Sequence, residues 1–135
     1  MQEIRKIAVL IDGDNAESKL IEQILGEAGK YGKITIKKVY GDFSVPQISK
    51  NWSKELCNSY AIRPVQKYSY TSGKNSTDTE SIIDAMDILR SRLVEGFCIV
   101  SSDSDYTGLA NRIREEGIGT PKKSKKLVTF YGTKG

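Results

Sequence analysis

The sequence predicts an α/β protein with a mostly parallel central sheet and helices on both faces. Residues 7–11 and 97–100 form short, continuous apolar runs. Such runs are typical of strands that are buried on both faces, which occur mainly in parallel sheets. Between and around these runs, other apolar runs alternate with segments of helical periodicity. Repeated strand–helix units favour right-handed crossovers and a three-layer, doubly wound arrangement.

The first strand and helix follow directly from local sequence. Apolar residues recur at helical spacing over 20–28 and predict the first helix. Gly29 and Gly32 supply a stop for that helix. A second strand is predicted over 34–40, where β-branched residues are frequent.

The middle of the chain predicts one helix and one weak strand. Pro46 suits the first turn of a helix, so a single helix is predicted over 45–60. A third strand is predicted over 62–68. Pro64 lacks the backbone N–H that a central strand needs, which favours a position at the sheet edge.

The remaining elements complete the alternation. A polar loop covers 71–77, and Asp78 then opens a helix. The fourth strand is predicted over 96–101, followed by a helix over 106–116. The apolar stretch 127–131 is a candidate fifth strand, although the segment before it carries no helix signal.

Composition indicates a single domain without a membrane span. The chain has 135 residues, enough to bury a substantial core but too few for two independent domains. No stretch approaches the roughly 20 apolar residues of a membrane helix, and no signal-peptide pattern is visible, so we expect a cytoplasmic protein with no membrane partner. Cys57 and Cys98 are interpreted as core residues in a reducing compartment.

The positive charge is concentrated at the end of the chain. The net charge is +4, but residues 120–135 contain five lysines and no acid. Residues 1–119 therefore carry 16 basic and 17 acidic groups. We accordingly divide the chain into a domain over 1–119 and a lysine-rich segment over 120–135. A lysine-rich segment of this kind can bind phosphates or remain solvated.

Carboxylates follow both central apolar runs. Asp12 and Asp14 come after the first, and Asp103 and Asp105 come after the fourth predicted strand. In a doubly wound sheet these two strands are usually neighbours, and ligands bind at the carboxyl ends of the strands. Adjacent strands lie roughly 4.8 Å apart, so we expect these carboxylates to meet. Asp78, at the start of the preceding helix, is predicted to point into the same cleft.

Clustered carboxylates favour a divalent metal site. Like charges at short range are unfavourable unless a cation or a shared proton relieves them. Hard oxygen ligands, in a chain without histidine and without a thiolate cluster, favour Mg²⁺ or Mn²⁺. Such an ion supports phosphate-ester cleavage by metal-activated water. The sequence leaves the number of ions open.

Helix capping is the alternative explanation for some of these residues. Aspartate and asparagine are favoured N-caps, so Asp78, Asp105 and Asn15 could each cap a helix. Capping explains one acid per helix start but not paired acids at both strand ends. Asp84 lies six residues after Asp78, about 240° around the helix, and is expected to have a surface or supporting role.

The residues around these acids resemble the motifs of NYN domains, which are PIN-like nucleases. The stretch 12–15 looks like the D-x-x-N signature, and 74–78, followed by Asp84, looks like the lysine-then-aspartate segment. The stretch 101–106 looks like the S-x-D-x-D-aromatic segment. The resemblance covers residues 5 to about 117 in the right order and is closest to the bacterial LabA-like branch.

This resemblance implies a Rossmann-like, PIN-like fold and a ribonuclease that depends on Mg²⁺ or Mn²⁺. It also implies a set of metal ligands with two supporting residues: Asp12, Asp78, Asp103 and Asp105, supported by Asn15 and Ser101. From its position beside Asp12, Asp14 is expected to support the site as well. After Gly117 the chain departs from the family pattern, because a G-x-G segment follows the predicted helix without an intervening strand.

A basic and aromatic stretch precedes Asp78. Residues 56–77 contain no acid, and basic residues are interleaved with tyrosines. Single-stranded nucleic acid is typically held by positive charge and by stacking on aromatic rings. The candidate substrate-binding residues are Arg63, Lys67, Tyr70 and Lys74. The alternative is that Tyr68 and Tyr70 alternate into the core along an edge strand.

The leading hypothesis is a metal-dependent ribonuclease that acts on single-stranded or structured RNA. An RNA- or nucleotide-binding module with slow turnover is the first alternative. A haloacid-dehalogenase-type phosphatase is the second, since Asp12 and Asp14 after a strand resemble its nucleophile and acid, although Ala16 stands where Thr or Val is usual. A homodimer and an additional RNA-binding domain in the native protein are left open.

Overall fold

In a computed structural model of the chain, the described residues form one sheet of five parallel strands. The structure describes residues 6–67, 84, 87, 88, 90, 91, 93–101 and 127–131. The sheet order is β3-β2-β1-β4-β5. The strand bounds are β1 Lys6–Asp12, β2 Lys33–Gly41, β3 Arg63–Gln66, β4 Gly96–Val100 and β5 Leu127–Tyr131.

The two central strands are the two continuous apolar runs. Every residue of β1 after Lys6 is buried, and all of β4 is buried. The two strands pair in parallel, with Ile11 opposite Val100. The predicted adjacency of the first and fourth strands is therefore confirmed, and their carboxyl ends share one edge of the sheet.

The two outer strands fit their sequences. Pro64 lies in β3, which pairs with β2 at one end of the strand order. An edge strand tolerates the missing backbone N–H of proline, as predicted. At the other end, β5 pairs in parallel with β4, with Gly96 opposite Leu127. The candidate fifth strand is thus present in the sheet.

Helices α1 (Ile21–Gly29), α2 (Pro46–Asn51) and α3 (Lys54–Ser59) contribute to the core on one face of the sheet. A short 3-10 helix, Ser18–Leu20, precedes α1. On the opposite face, buried side chains of β1 and β4 pack with residues of the segment between β3 and β4. This second cluster contains Ala8, Leu10, Tyr40, Ile88, Val94, Phe97 and Ile99. The three-layer α/β prediction is confirmed.

The single helix predicted over 45–60 is divided in the structure. Helix α2 ends at Asn51, and Trp52 leaves the helical region with φ −111° and ψ 63°. Ser53 then starts α3 as an N-cap, and its hydroxyl accepts a hydrogen bond from the Leu56 N–H. The break turns the Trp52 indole into the core, where its side chain is 3% exposed.

Several predicted elements lie outside the described residues. These are the loop over 71–77, the start of the helix at Asp78 and the helix over 106–116. Cys57 and Cys98 are free and buried, which agrees with the core interpretation. Across the described part of the chain, every helix is too short or too polar to cross a membrane.

Candidate active site

Asp12 is a buried carboxylate held at the end of a central strand. It is the last residue of β1 and is 0% exposed. Ser101, which follows β4, is also 0% exposed and donates its hydroxyl to Asp12 Oδ2 at 2.7 Å. Asn15 Nδ2 donates to the same oxygen at 2.7 Å. Two short hydrogen bonds therefore fix Oδ2 and leave Oδ1 on the other side of the carboxylate.

Asn15 reaches Asp12 because the chain turns immediately after β1. The backbone N–H groups of Asn15 and Ala16 both donate to the Asp12 carbonyl, at 3.2 and 2.8 Å. The two helices that follow have Glu17 and Leu20 at their N-caps, and neither makes a side-chain cap hydrogen bond. The Asn15 side chain thus contacts the carboxylate instead of capping a helix.

Lys67 brings a positive charge to the carboxylates of Asp12 and Asp14. Its Nζ lies 3.4 Å from Asp12 Oδ1 and 3.2 Å from Asp14 Oδ2, and its side chain is 5% exposed. Lys67 follows β3, and its backbone N–H donates to the Gly41 carbonyl at the end of β2. The sequence predicts Lys67 as a substrate-binding residue, and that role stays a prediction. In the structure the Lys67 side chain is buried and pairs with the carboxylates of Asp12 and Asp14.

Asp14 is fixed by the neighbouring strand. Its Oδ1 accepts a hydrogen bond from the Asp42 backbone N–H at 3.1 Å, while its Oδ2 faces Lys67. A Cβ on Gly41 would lie 3.2 Å from Asp14 Oδ1, so a side chain at that position would crowd the carboxylate. The end of β2 therefore orients the second acid of the Asp-Gly-Asp sequence.

Gly13 has no room for a side chain. A Cβ there would lie 2.7 Å from Val39 Cγ2 and 2.9 Å from the Tyr40 carbonyl oxygen. The Gly13 N–H donates to that same carbonyl at 2.7 Å, and the Trp52 indole N–H donates to the Gly13 carbonyl at 3.0 Å. Close approach of the backbone to β2 explains why glycine separates the two acids.

Asp42 adds a further carboxylate at the end of β2, which the sequence interpretation did not assign to the site. The Ser44 hydroxyl, the Gln66 amide and the Ser44 backbone N–H donate to it, and in that order they lower the pKa of Asp42. The sequence contains a pattern that could have identified Asp42, because this residue follows a predicted strand as Asp12 does. Its hydrogen bonds tie the end of β2 to the end of β3.

Asp84 lies in a separate polar cluster. Its carboxylate accepts hydrogen bonds from Lys38 Nζ, at 2.9 and 3.1 Å, and from the Tyr40 hydroxyl. Lys38 and Tyr40 are both residues of β2, and Tyr40 is paired in register with Asp12. Asp84 therefore joins the segment before β4 to the sheet through β2, and its expected surface or supporting role stays a prediction.

The other predicted site residues are distributed as follows. Arg63 is an exposed residue of the edge strand β3. Five lie outside the described residues: Lys74, Tyr70, Asp78, Asp103 and Asp105. Their predicted roles, and the capping alternative for Asp78 and Asp105, therefore stay predictions.

The described part of the site suits a hard cation. Within the described ranges, no three histidine, cysteine or acidic side chains converge on a metal position. Those ranges do supply two carboxylates, Asp12 and Asp14, whose oxygens already share a buried ammonium group. Carboxylate oxygens are the groups that hard divalent cations prefer in proteins.

Comparisons with known proteins agree with this architecture. The family model of the NYN domain matches residues 6–129. The crystal structure of a protein of unknown function, VPA0982, from Vibrio parahaemolyticus RIMD 2210633 is similar in fold, with a TM-score of 0.69 and 23% sequence identity. That alignment covers 98% of this chain and 85% of the other. No protein of curated function matches the sequence.

The family match also bears on the alternatives. It does not favour the phosphatase hypothesis, in which Asp12 would be a nucleophile. It spans both central strands and therefore the residues that surround Asp12. The chain belongs to the NYN domain family.

Proposed function

We propose that this protein is a ribonuclease that uses Mg²⁺ or Mn²⁺ to cleave phosphodiester bonds in RNA. NYN domains are in general nuclease-like hydrolases, which supports the reaction class. RNA, single-stranded or structured, is the proposed substrate. We also propose that the protein belongs to the LabA-like branch, on the basis of the order of the three motifs. We further propose that it is located in the cytoplasm, on the basis of the free cysteines.

The observation that carries the proposal is the environment of the buried Asp12 carboxylate. A fully buried aspartate is costly unless hydrogen bonds and a counter-charge stabilise it. Here Ser101 and Asn15 hold Oδ2, and Oδ1 faces a cationic group. A carboxylate oriented in this way, with one oxygen fixed and the other directed at a positive charge, is suited to bind a metal ion.

The proposed ligands come from three parts of the chain. Asp12 would hold the ion together with Asp78, Asp103 and Asp105, whose sequence positions match the family motifs. When bound, the ion would supply an activated water and neutralise charge on the leaving oxygen. Asp14, Asn15 and Ser101 orient the site.

The proposed substrate path runs along the β3 edge. Arg63 is exposed on that edge, and Lys67 follows it at the carboxyl end of the strand. Lys74 and Tyr70 are proposed to continue this surface towards Asp78, with cations contacting phosphates and the ring stacking on a base. The proposed path leads from the β3 edge of the sheet towards Asp12.

The proposal is tested by RNA cleavage with purified protein. Wild type is expected to cleave a labelled single-stranded RNA when Mg²⁺ or Mn²⁺ is present and not in EDTA. Asp103→Asn removes a proposed ligand charge and should reduce cleavage to the level seen in EDTA. Asp87→Asn changes an exposed acid and is the matched control, expected to retain wild-type activity. Equal cleavage by wild type and Asp103→Asn would contradict the proposal.

One observation favours a second candidate function. The Lys67 ammonium already faces both Asp12 and Asp14 and offsets one of their two negative charges, so this edge of the sheet can be stable without metal. A protein that binds RNA and turns it over slowly would use the same surface. Metal-independent RNA binding by wild type, without cleavage, is the result that would favour this binding module.

A further inference from the structure

Lys67 is a buried lysine whose ammonium group occupies the position between two carboxylates of the candidate site. We propose that Lys67 is an internal cation that stabilises Asp12 and Asp14 in the metal-free protein and competes with the divalent ion for the position beside Asp12. This inference rests on the proposed metal-dependent function. It assigns a second role to a residue that the sequence predicts to bind substrate.

The Lys67 ammonium offsets buried negative charge at the end of β1. Asp12 is 0% exposed and the Lys67 side chain is 5% exposed, so both charges lie away from water. Buried ionised groups of this kind persist when they are paired and hydrogen-bonded. Asp14 adds a second negative charge beside the first. The ammonium therefore relieves a repulsion that would otherwise require a bound ion.

The Lys67 ammonium lies at longer than ideal distance from both carboxylates. The two Nζ–oxygen distances are 3.4 and 3.2 Å, longer than the roughly 2.7–2.9 Å of a strong charge-assisted hydrogen bond. One ammonium is thus shared between two carboxylates at longer than ideal range. A divalent ion at the same place would double the charge and so double the Coulomb attraction to each oxygen.

Replacement of the ammonium by a divalent ion would leave the rest of the site intact. Asp12 Oδ2 is held by Ser101 and Asn15, whichever cation faces Oδ1. The backbone of Lys67 is held by the hydrogen bond from its N–H to the Gly41 carbonyl. A flexible four-carbon stem can therefore swing the ammonium away while the strand ends keep their positions.

The consequence is a coupling between metal and substrate. Once the ion displaces the ammonium, Lys67 is released at the carboxyl edge of the sheet, beside the proposed ligands. There it can contact a phosphate oxygen of the RNA. Lys67 is then a positioning residue for the carboxylates in the metal-free protein and a substrate contact in the loaded one.

The first test measures Mn²⁺ affinity by isothermal titration calorimetry. Lys67→Met removes the competing charge while keeping the apolar stem. If the ammonium occupies the site in about nine-tenths of molecules, its removal should tighten Mn²⁺ binding about tenfold. Mn²⁺ should also raise the melting temperature of Lys67→Met more than that of wild type. Lys67→Arg, which retains a cation, should not bind more tightly than wild type.

Lys38→Met is the matched control. Lys38 also pairs with an aspartate, Asp84, but that pair is separate from Asp12 and Asp14. Its Mn²⁺ affinity should equal that of wild type. Equal or weaker Mn²⁺ binding by Lys67→Met would overturn the inference.

A second test uses wild-type protein and does not depend on the folding of a variant. Amine acylation followed by mass spectrometry reports how accessible each lysine is. Labelling of Lys67 should be slow in EDTA and faster at saturating Mn²⁺, while labelling of Lys38 should be unchanged. Unchanged or slower labelling of Lys67 would overturn the inference.

The outcomes separate this inference from the proposed function. If wild type binds Mn²⁺ and cleaves RNA, but Lys67 neither competes nor becomes accessible, the internal-cation role alone is overturned. If neither wild type nor any of the variants binds Mn²⁺, both the internal-cation role and the metal-dependent function are overturned.

Discussion

Gly13 shows how a single residue without a side chain shapes the candidate site. It separates Asp12 from Asp14 and lies against β2, with its N–H bonded to the Tyr40 carbonyl. On its other side, the Trp52 indole donates to its carbonyl. The spacing of the two acids therefore depends on backbone contacts that a side chain would disturb.

Replacing Gly13 by alanine is expected to destabilise the protein. The added Cβ would meet Val39 and the Tyr40 carbonyl at under 3.0 Å, and relief of that overlap must move the backbone or the core. Overpacking of this kind typically costs about 1–3 kcal/mol. Chemical denaturation, followed by circular dichroism, measures the loss in the free energy of unfolding.

Gly26→Ala is the matched control for that experiment. Gly26 is exposed within α1, and a Cβ there would meet no atom within 4 Å. Alanine in a helix is favoured over glycine by up to about 1 kcal/mol, so this variant should be as stable as wild type or more stable. A Gly13→Ala variant as stable as Gly26→Ala would contradict the close packing.

At the residue scale, the strand-end positions of Asp12 and Ser101 could be predicted from the sequence, whereas the contact of Lys67 with Asp12 could not. Asp12 and Ser101 end neighbouring strands, and an apolar run followed by polar residues marks that position directly. Lys67 reaches Asp12 across the end of β2, the strand that lies between β3 and β1. No local pattern encodes such a contact, because it depends on the strand order and on the length of the side chain.

The division between α2 and α3 is the main difference between prediction and structure at the scale of elements. Ile48, Trp52 and Leu56 are spaced by four residues, so the apolar periodicity continues across the break. One feature that marks the break is local, because Ser53 is a favoured N-cap. The other is a tertiary contact, the hydrogen bond from the Trp52 indole N–H to the Gly13 carbonyl.

Ser53→Ala is expected to destabilise α3. The Ser53 hydroxyl accepts the Leu56 N–H, and loss of an N-cap costs about 1 kcal/mol. Ser59→Ala is the control, since Ser59 is exposed and its hydroxyl donates only to a carbonyl of its own helix. Urea denaturation should show a lower midpoint for Ser53→Ala and little change for Ser59→Ala. Equal midpoints for the two variants would mean that the cap does not hold the second helix.

At the scale of the whole molecule, the strand order could be predicted and the sheet edges only in part. Two fully buried runs fix the centre of a parallel sheet, and alternating helices fix the direction of the crossovers. The sequence predicts the fifth strand only as a candidate, because a Gly- and Lys-rich segment precedes it without a helix signal. In the structure this strand pairs with β4 along its full length.

The sheet explains why the carboxyl edge accumulates charge. Because the five strands that the structure describes are parallel, they end at the same edge of the sheet, and polar residues that follow them are brought together. Asp12, Asp14, Asp42 and Lys67 all follow or end strands in this way. The topology thus converts a sequence pattern of strand-then-acid into one concentrated site.

The most direct measurement of the central claim is a Mn²⁺ titration of wild type and Asp12→Asn by calorimetry. The claim is that strand-end carboxylates bind a divalent ion. Wild type should bind Mn²⁺. Asp12→Asn removes one charge at nearly constant shape and should bind at least about 10-fold more weakly or not at all, because loss of even a partner of a metal ligand costs about 10–100-fold. Asp87→Asn should bind as wild type does. Absence of binding by wild type at millimolar Mn²⁺, or equal affinity in Asp12→Asn, would contradict the account.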